Sequence, residues 1–244
     1  MRLADVLPVL VQGSRLWVAG AVTVVFALLA RLLRGVTTPG AITGAAVCFV
    51  LYTGAGRGAF AALVAVFVLT WLTTRLGYRR KQKLRTAQSP EGRSASQVLA
   101  NLSVAATCAG ASLLGAKPIL VLAACAALSE AAADTVSSEF GQARSEKARL
   151  ITNWAEVPAG TNGGVSWEGT LAGLVAAAVV SVVGSIAGLL PPRWLGVSIA
   201  SAFAGMIADS FLGAALERRG FLNNNWVNFF GTMVAAAIAT LLVR

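Results

Sequence analysis

Long apolar runs separated by short polar stretches form the main pattern of the chain. A helix needs about 20 predominantly apolar residues to cross a bilayer. The pattern predicts eight spans, at 16–33, 41–55, 60–76, 97–114, 118–134, 171–190, 195–212 and 229–243. We therefore expect an all-α polytopic transmembrane helix bundle with about eight spans (seven to nine), in a single integral membrane domain over residues 1–244. The span at 41–55 is short and interrupted by glycine.

The stretch before the first span, residues 1–15, has the pattern of a short amphipathic or partly inserted segment. It contains one Arg near its start and no clear cleavage site. We therefore interpret it as part of the mature protein rather than a signal peptide.

Composition strengthens the membrane assignment. The chain is 57% hydrophobic and 12% charged, whereas a soluble domain carries about 25% charged residues. The net charge of +10 fits basic loops that set topology and contact anionic lipid, so we predict no nucleic-acid partner. The cysteines, Cys48, Cys108 and Cys125, lie in apolar runs and indicate packing rather than a disulfide or zinc site.

The distribution of charge predicts the orientation. If the basic loop 77–95 is cytoplasmic, most of the 20 Lys and Arg residues fall on that side, as the positive-inside rule requires. The N-terminus is then outside, and a second loop, 135–167, is cytoplasmic. We expect a prokaryotic-type inner or plasma membrane. Most acidic residues crowd onto the same side, although the topology rule does not require it, which indicates chemistry there.

An acidic and hydroxyl-rich cluster follows the fifth span and contains Asp134, Ser138 and Glu139. Hard oxygen ligands of this kind suit Mg²⁺, which usually takes one or two carboxylates plus substrate phosphates. Glu130 precedes Asp134 by four residues, so both lie on one helix face and could hold Mg²⁺ or a proton. A helix end running into solvent, or a salt bridge to Arg93 or Lys147, would explain the same residues.

A glycine-rich stretch follows within the second loop: Gly160, Thr161, Asn162, Gly163, Gly164, Val165 and Ser166. Glycines let backbone N–H groups approach an anion, and a helix starting near Trp167 would add its positive end. The stretch is neither a Walker A loop nor GxGxxG. We predict a phosphate cradle, with a structural turn as the alternative.

Three further features complete the candidate site. Asp209 lies in a short motif similar to that around Asp134, so a weak internal repeat would bring two carboxylates to one pocket, unless the similarity is chance. Arg93, which with Asn101 opens the fourth span, is a candidate phosphate clamp, whereas we interpret the other basic residues at 79–85 as topological or lipid-facing charges. Asn224 and Asn225 could bind a nucleotide or cap the last helix.

Three blocks of residues together resemble a known family. They are GRSASQVLAN at 92–101, DTVSSEFG at 134–141 and GTNGGVSWEGT at 160–170. In this order they resemble the membrane family of plant phytyl-phosphate kinase and transmembrane protein 19, which is related to polyprenol and phytol kinases that use CTP. The resemblance covers roughly residues 35–244. One departure is that Pro158-Ala159, rather than proline alone, precedes the Gly-Thr pair.

The resemblance implies phosphorylation of an isoprenoid monophosphate to its diphosphate. The residues it implies for the site are Arg93, Asn101, Asp134, Ser138, Glu139, Thr161, Asn162, Ser166 and Asp209.

The favoured function is therefore a phosphotransferase that uses Mg²⁺ and CTP or another nucleoside triphosphate. Its metal would lie at Asp134, Glu139, Asp209 and Glu130, and its partners would be the isoprenoid monophosphate, the nucleotide and membrane lipid. A lipid-phosphate transporter or flippase and a CTP-dependent cytidylyltransferase are the alternatives. The sequence leaves open the lipid chain, the donor nucleotide and the oligomeric state, including a homodimer.

Overall fold

A computed structural model of the chain describes residues 3–115 and 117–243. The α-helices are α1 (Leu3–Leu32), α2 (Thr38–Arg75), α3 (Tyr78–Leu84), α4 (Ala95–Ala111), α5 (Lys117–Arg144), α6 (Trp167–Ile186), α7 (Leu195–Leu212) and α8 (Asn224–Leu241). A 3₁₀ turn (Pro192–Trp194) precedes α7, and a π-helical turn (Gly213–Glu217) follows it. The helix α1 includes most of the stretch 1–15, whose side chains lie outside the described residues.

The helix α2 folds back on itself. Gly56 has φ 78° and ψ −166°, which is not helical. A straight helix of 38 residues would be about 57 Å long, yet Gly40 near its start and Thr70 near its end line one cavity. The two halves therefore run antiparallel, in agreement with the separate segments predicted at 41–55 and 60–76.

The helix α5 forms the centre of the bundle and contacts α2, α4, α6, α7 and α8. Every residue from 122 to 133 is buried, and most of them are alanine. Small side chains let neighbouring helices approach closely when no hydrophobic effect drives helix association in lipid. A chain of serine hydroxyls, Ser129 to Ser181 to Ser198 with 2.9 Å at each step, links α5, α6 and α7.

The second predicted loop, 135–167, is helical over its first ten residues and contains three short strands. The helix α5 continues ten residues past Asp134 to Arg144. Its close packing against α6 continues there, because a Cβ at Gly169 would lie only 2.6 Å from the Ser137 carbonyl oxygen. A small antiparallel sheet follows, in the order β2 (Glu156–Pro158), β1 (Lys147–Leu150), β3 (Gly164–Val165). The bundle is thus helical with one short sheet that the all-α prediction did not include. The predicted basic loop 77–95 contains the short helix α3.

Four helical segments among the described residues are long and apolar enough to cross a membrane. They are Thr38–Arg75, Pro118–Arg144, Trp167–Ile186 and Pro192–Glu217, and Leu16–Leu32 is a shorter apolar helix. The chain is therefore an all-helical membrane bundle in its main architecture, and the count of eight spans stays a prediction. The short sheet, the start of α4 and the start of α8 meet at one end of this bundle.

Candidate active site at one end of the bundle

A polar cavity of about 390 Å³ lies at this end. It brings together residues from α5, α7, α8, the sheet region and the segment before α4, although they are far apart in sequence. The predicted residues that line it are Arg93, Asp134, Ser138, Glu139, Gly160, Thr161, Asn162, Gly163, Gly164, Ser166, Asp209 and Asn224. Most of the candidate site thus forms one cavity.

Arg93 is positioned by its own backbone. Its N–H donates to the Gly35 carbonyl, and its carbonyl accepts from the Thr37 N–H, both at 3.0 Å, which forms a parallel bridge with Val36. Ser94 then starts α4 with a capping box to Gln97. Burial lowers the pKa of the Arg93 guanidinium, and the carboxylates of Glu139 and Asp134 oppose that shift. Arg93 is therefore a half-buried cation near two carboxylates.

Asp134 and Asp209 both line the cavity. Asp209 Oδ2 is buried with no hydrogen-bond partner among the described residues. Two carboxylates that line one cavity repel each other unless a proton or a cation lies between them. The unpartnered oxygen and the two carboxylates fit Mg²⁺, which takes one or two carboxylates and fills its other positions with water or phosphate oxygens.

The structure does not gather the four carboxylates predicted as metal ligands into one group. In the part of the chain that the structure describes, no group of three or more His, Cys, Asp or Glu side chains is arranged to hold a metal ion. Glu130 is 1% exposed and lies one turn deeper, where its carboxylate packs against the backbone of Gly231 and Gly205. It does not belong to the cavity wall.

Glu139 lines the cavity, but both of its oxygens have protein partners. Oε2 accepts from Lys81 Nζ at 2.5 Å, and Oε1 accepts from the Thr74 hydroxyl at 3.2 Å. Lys81 is 0% exposed and also donates to the Thr73 and Thr74 carbonyls. The interpretation of all basic residues at 79–85 as topological or lipid-facing was therefore wrong for Lys81, because α3 packs against α5 and buries this side chain.

The glycine-rich loop needs its glycines at two positions. Gly160 and Gly163 have φ of 87° and 73°, in the left-handed region that favours glycine. A Cβ at Gly163 would overlap the backbone of Ala214 in the π-helical turn, so the loop lies directly on the end of α7. Ser166 begins α6 and accepts from the Gly169 N–H at 3.1 Å. The positive end of α6 therefore points to the cavity.

The predicted amides divide into two groups. Asn224 lines the cavity, whereas Asn225 does not. Asn101 is buried outside this cavity, and its Oδ1 accepts from Asn228 Nδ2 at 3.3 Å. Asn228 does line the cavity, and its spacing of four residues from Asn224 on α8 is the signal that would have identified it.

Fold and site together define an integral membrane protein with an acidic, polar cavity at one end of the bundle. The integral membrane protein family DUF92 matches residues 21–236, and the chain belongs to this family.

An uncharacterized membrane protein of Methanocaldococcus jannaschii is 32% identical over 93% of this chain and 94% of its own. An uncharacterized membrane protein of Synechocystis is 33% identical over 78% of this chain and 76% of its own. The chloroplastic protein VTE6 of Arabidopsis thaliana is 30% identical over 82% of this chain and 64% of its own. No solved structure matches the chain.

These matches confirm the family resemblance seen in the three sequence blocks. They also confirm that the protein is an integral membrane protein.

Proposed function

We propose that the protein is a Mg²⁺-dependent isoprenoid monophosphate kinase that uses a nucleoside triphosphate, CTP in the first instance, to form the diphosphate. The observation that carries this proposal is one cavity that Asp134 and Asp209 line together with Arg93 and the glycine-rich loop. The family resemblance supplies the lipid class.

The charge of the cavity supports a metal. Asp134, Glu139, Asp209 and Glu217 line it, against Arg93 as the basic residue among the lining residues. Such a wall repels phosphate unless a divalent cation neutralises it. Asp134 and Asp209 would hold Mg²⁺. When bound, the ion would neutralise charge on the donor phosphates.

The remaining groups divide between donor and acceptor. The loop 160–166 and the start of α6 would bind the donor phosphates through backbone N–H groups. Arg93 would bind the phosphate of the lipid. An oxygen of that phosphate attacks the terminal phosphorus of the nucleotide, the bond from this phosphorus to its bridging oxygen breaks, and the nucleoside diphosphate leaves. The attacking phosphate is already ionised, so the step needs no strong base, which fits a chain without histidine.

The test is incubation of purified protein with Mg²⁺, each nucleoside triphosphate and prenyl monophosphates, followed by mass spectrometry. We expect the prenyl diphosphate and a nucleoside diphosphate. Asp134→Asn should reduce turnover by more than about 100-fold, since loss of even an outer-shell partner of a metal costs up to that much. Glu146→Gln is the matched control, because it also removes one carboxylate but is exposed and lies outside the cavity wall.

The products separate the proposal from its alternatives. Release of inorganic diphosphate with a nucleotide-linked lipid would identify a cytidylyltransferase. Movement of prenyl phosphate across vesicles without nucleotide would identify a flippase. Full activity of the folded Asp134→Asn protein would refute the assigned site.

A further inference from the structure

A second cavity, of about 310 Å³, lies beside the polar one. Its wall comes from α1, both halves of α2 and the start of α4, and is mostly apolar. The side chains that give it this character include Phe26, Leu63, Val66, Phe67 and Leu102. The fold-back of α2 at Gly56 creates this space, because it places Gly40 opposite Thr70.

The two cavities share a wall. Gln88, Arg93, Gln97 and Thr135 line both of them. Arg93 therefore stands between the apolar cavity and the acidic cavity that Asp134 and Asp209 line. Two more cations, Arg34 and Arg75, line the apolar cavity. The Arg75 guanidinium lies 4.1 Å from the centre of the Trp71 ring, so it is held at this wall.

The apolar cavity depends on glycine. A Cβ added at Gly44 would have no atom within 4 Å, although Gly44 lies in the middle of a helix and lines the cavity. A glycine in a helix interior is destabilising relative to alanine. At Gly44 no close helix contact within the chain offsets this loss, so the glycine provides space in the cavity.

We propose that this cavity binds the hydrocarbon tail of a single-chain isoprenoid monophosphate, with its phosphate at Arg93. This proposal rests on the proposed function and assigns the lipid substrate to the apolar cavity. The charge arrangement favours one kind of occupant. An apolar cavity that ends at a half-buried guanidinium is complementary to one apolar chain with an anionic head. The α1 wall from Phe26 to Arg34 is about 12 Å long, so longer tails must extend past Phe26 towards the membrane interior.

The test measures binding of radiolabelled phytyl monophosphate in the absence of nucleotide. Gly44→Leu fills the cavity and should weaken binding by at least about tenfold, because it excludes several methylene groups that are each worth about fourfold in affinity. Gly196→Leu is the matched control, since a Cβ there also has no atom within 4 Å and Gly196 lies on α7 outside the cavity. The short dimethylallyl monophosphate should bind both variants as it binds the wild type.

Ala27→Leu, on the α1 wall of the cavity, is the second variant. It should weaken binding of phytyl monophosphate as Gly44→Leu does, and it replaces Gly44→Leu if that variant fails to fold. Phytol, which lacks the phosphate, should bind more weakly than phytyl monophosphate. Unchanged binding of phytyl monophosphate to both cavity variants, or equal binding of phytol and its phosphate, would overturn the tail site.

The two proposals fail in different ways. If Gly44→Leu blocks binding but no nucleotide yields diphosphate, the kinase is refuted and the lipid site stands. If diphosphate forms and Gly44→Leu is as active on phytyl monophosphate as the wild type, the lipid site is refuted and the kinase stands.

Discussion

At the scale of single residues, the pair of Lys81 and Glu139 changes the role of a predicted metal ligand. Lys81 is fully buried and donates to two backbone carbonyls as well as to Glu139. Removal of one member of a buried ion pair leaves an uncompensated charge and costs about 3–5 kcal/mol, whereas replacement of both by apolar residues is often neutral. The pair therefore joins α3 to α5 and holds Glu139 at the cavity wall.

We predict that Lys81→Met lowers the free energy of unfolding by about 3–5 kcal/mol. The double variant Lys81→Met with Glu139→Leu should recover most of this loss, because it leaves no buried charge. Denaturant unfolding in detergent measures both. If Glu139→Leu alone is as stable as the wild type, the pair does not hold α3 in place.

At the scale of elements, the glycine-rich loop depends on its contact with the π-helical turn after α7. Gly163 combines a positive φ of 73° with a position against Ala214, where a Cβ has no room. Gly188 has a similar φ of 86°, but a Cβ there would meet nothing within 4 Å. Alanine substitutions at the two glycines therefore distinguish the effect of backbone strain from the effect of lost packing space.

Gly163→Ala should abolish nucleotide-dependent turnover, because the loop must move away from Ala214 and from the cavity. Gly188→Ala pays the same backbone cost of about 1–2 kcal/mol but should keep its activity. Thermal unfolding and turnover of both variants measure the difference. Equal turnover in the two variants would contradict a role for this contact in shaping the site.

At the scale of the whole molecule, the described polar site lies at one end of the bundle, and Leu114 follows the opposite end of α4. Leu114 is 93% exposed, and Glu146 is exposed beside the sheet. If the candidate site is cytoplasmic, as the distribution of basic residues predicts, these two positions lie on opposite sides of the membrane.

This orientation can be tested in a variant without Cys48, Cys108 and Cys125. A cysteine introduced by Leu114→Cys should react with an impermeant thiol reagent applied to intact cells, whereas one introduced by Glu146→Cys should react only after the membrane is opened. The reverse pattern would place the candidate site outside and remove its supply of nucleotide.

The sequence alone determined the membrane class, the approximate positions of most helices and the family. Hydropathy acts over a single helix, and the three motif blocks are contiguous, so neither depends on distant contacts. Span ends were less predictable: α8 begins at Asn224, five residues before the predicted span, because Asn223 caps a polar first turn.

Only the tertiary structure decided which polar residues meet. Three features join residues far apart in sequence: the burial of Lys81 against Glu139, the cavity shared by Asp134 and Asp209, and the cavity opened by the fold-back at Gly56. No local sequence pattern predicts such contacts, because each depends on how whole helices pack around α5. The same packing keeps Glu130 out of the cavity wall, although Glu130 Oε1 and Asp209 Oδ2 both lie beside Gly231, 2.6 and 3.4 Å from the position of an added Cβ.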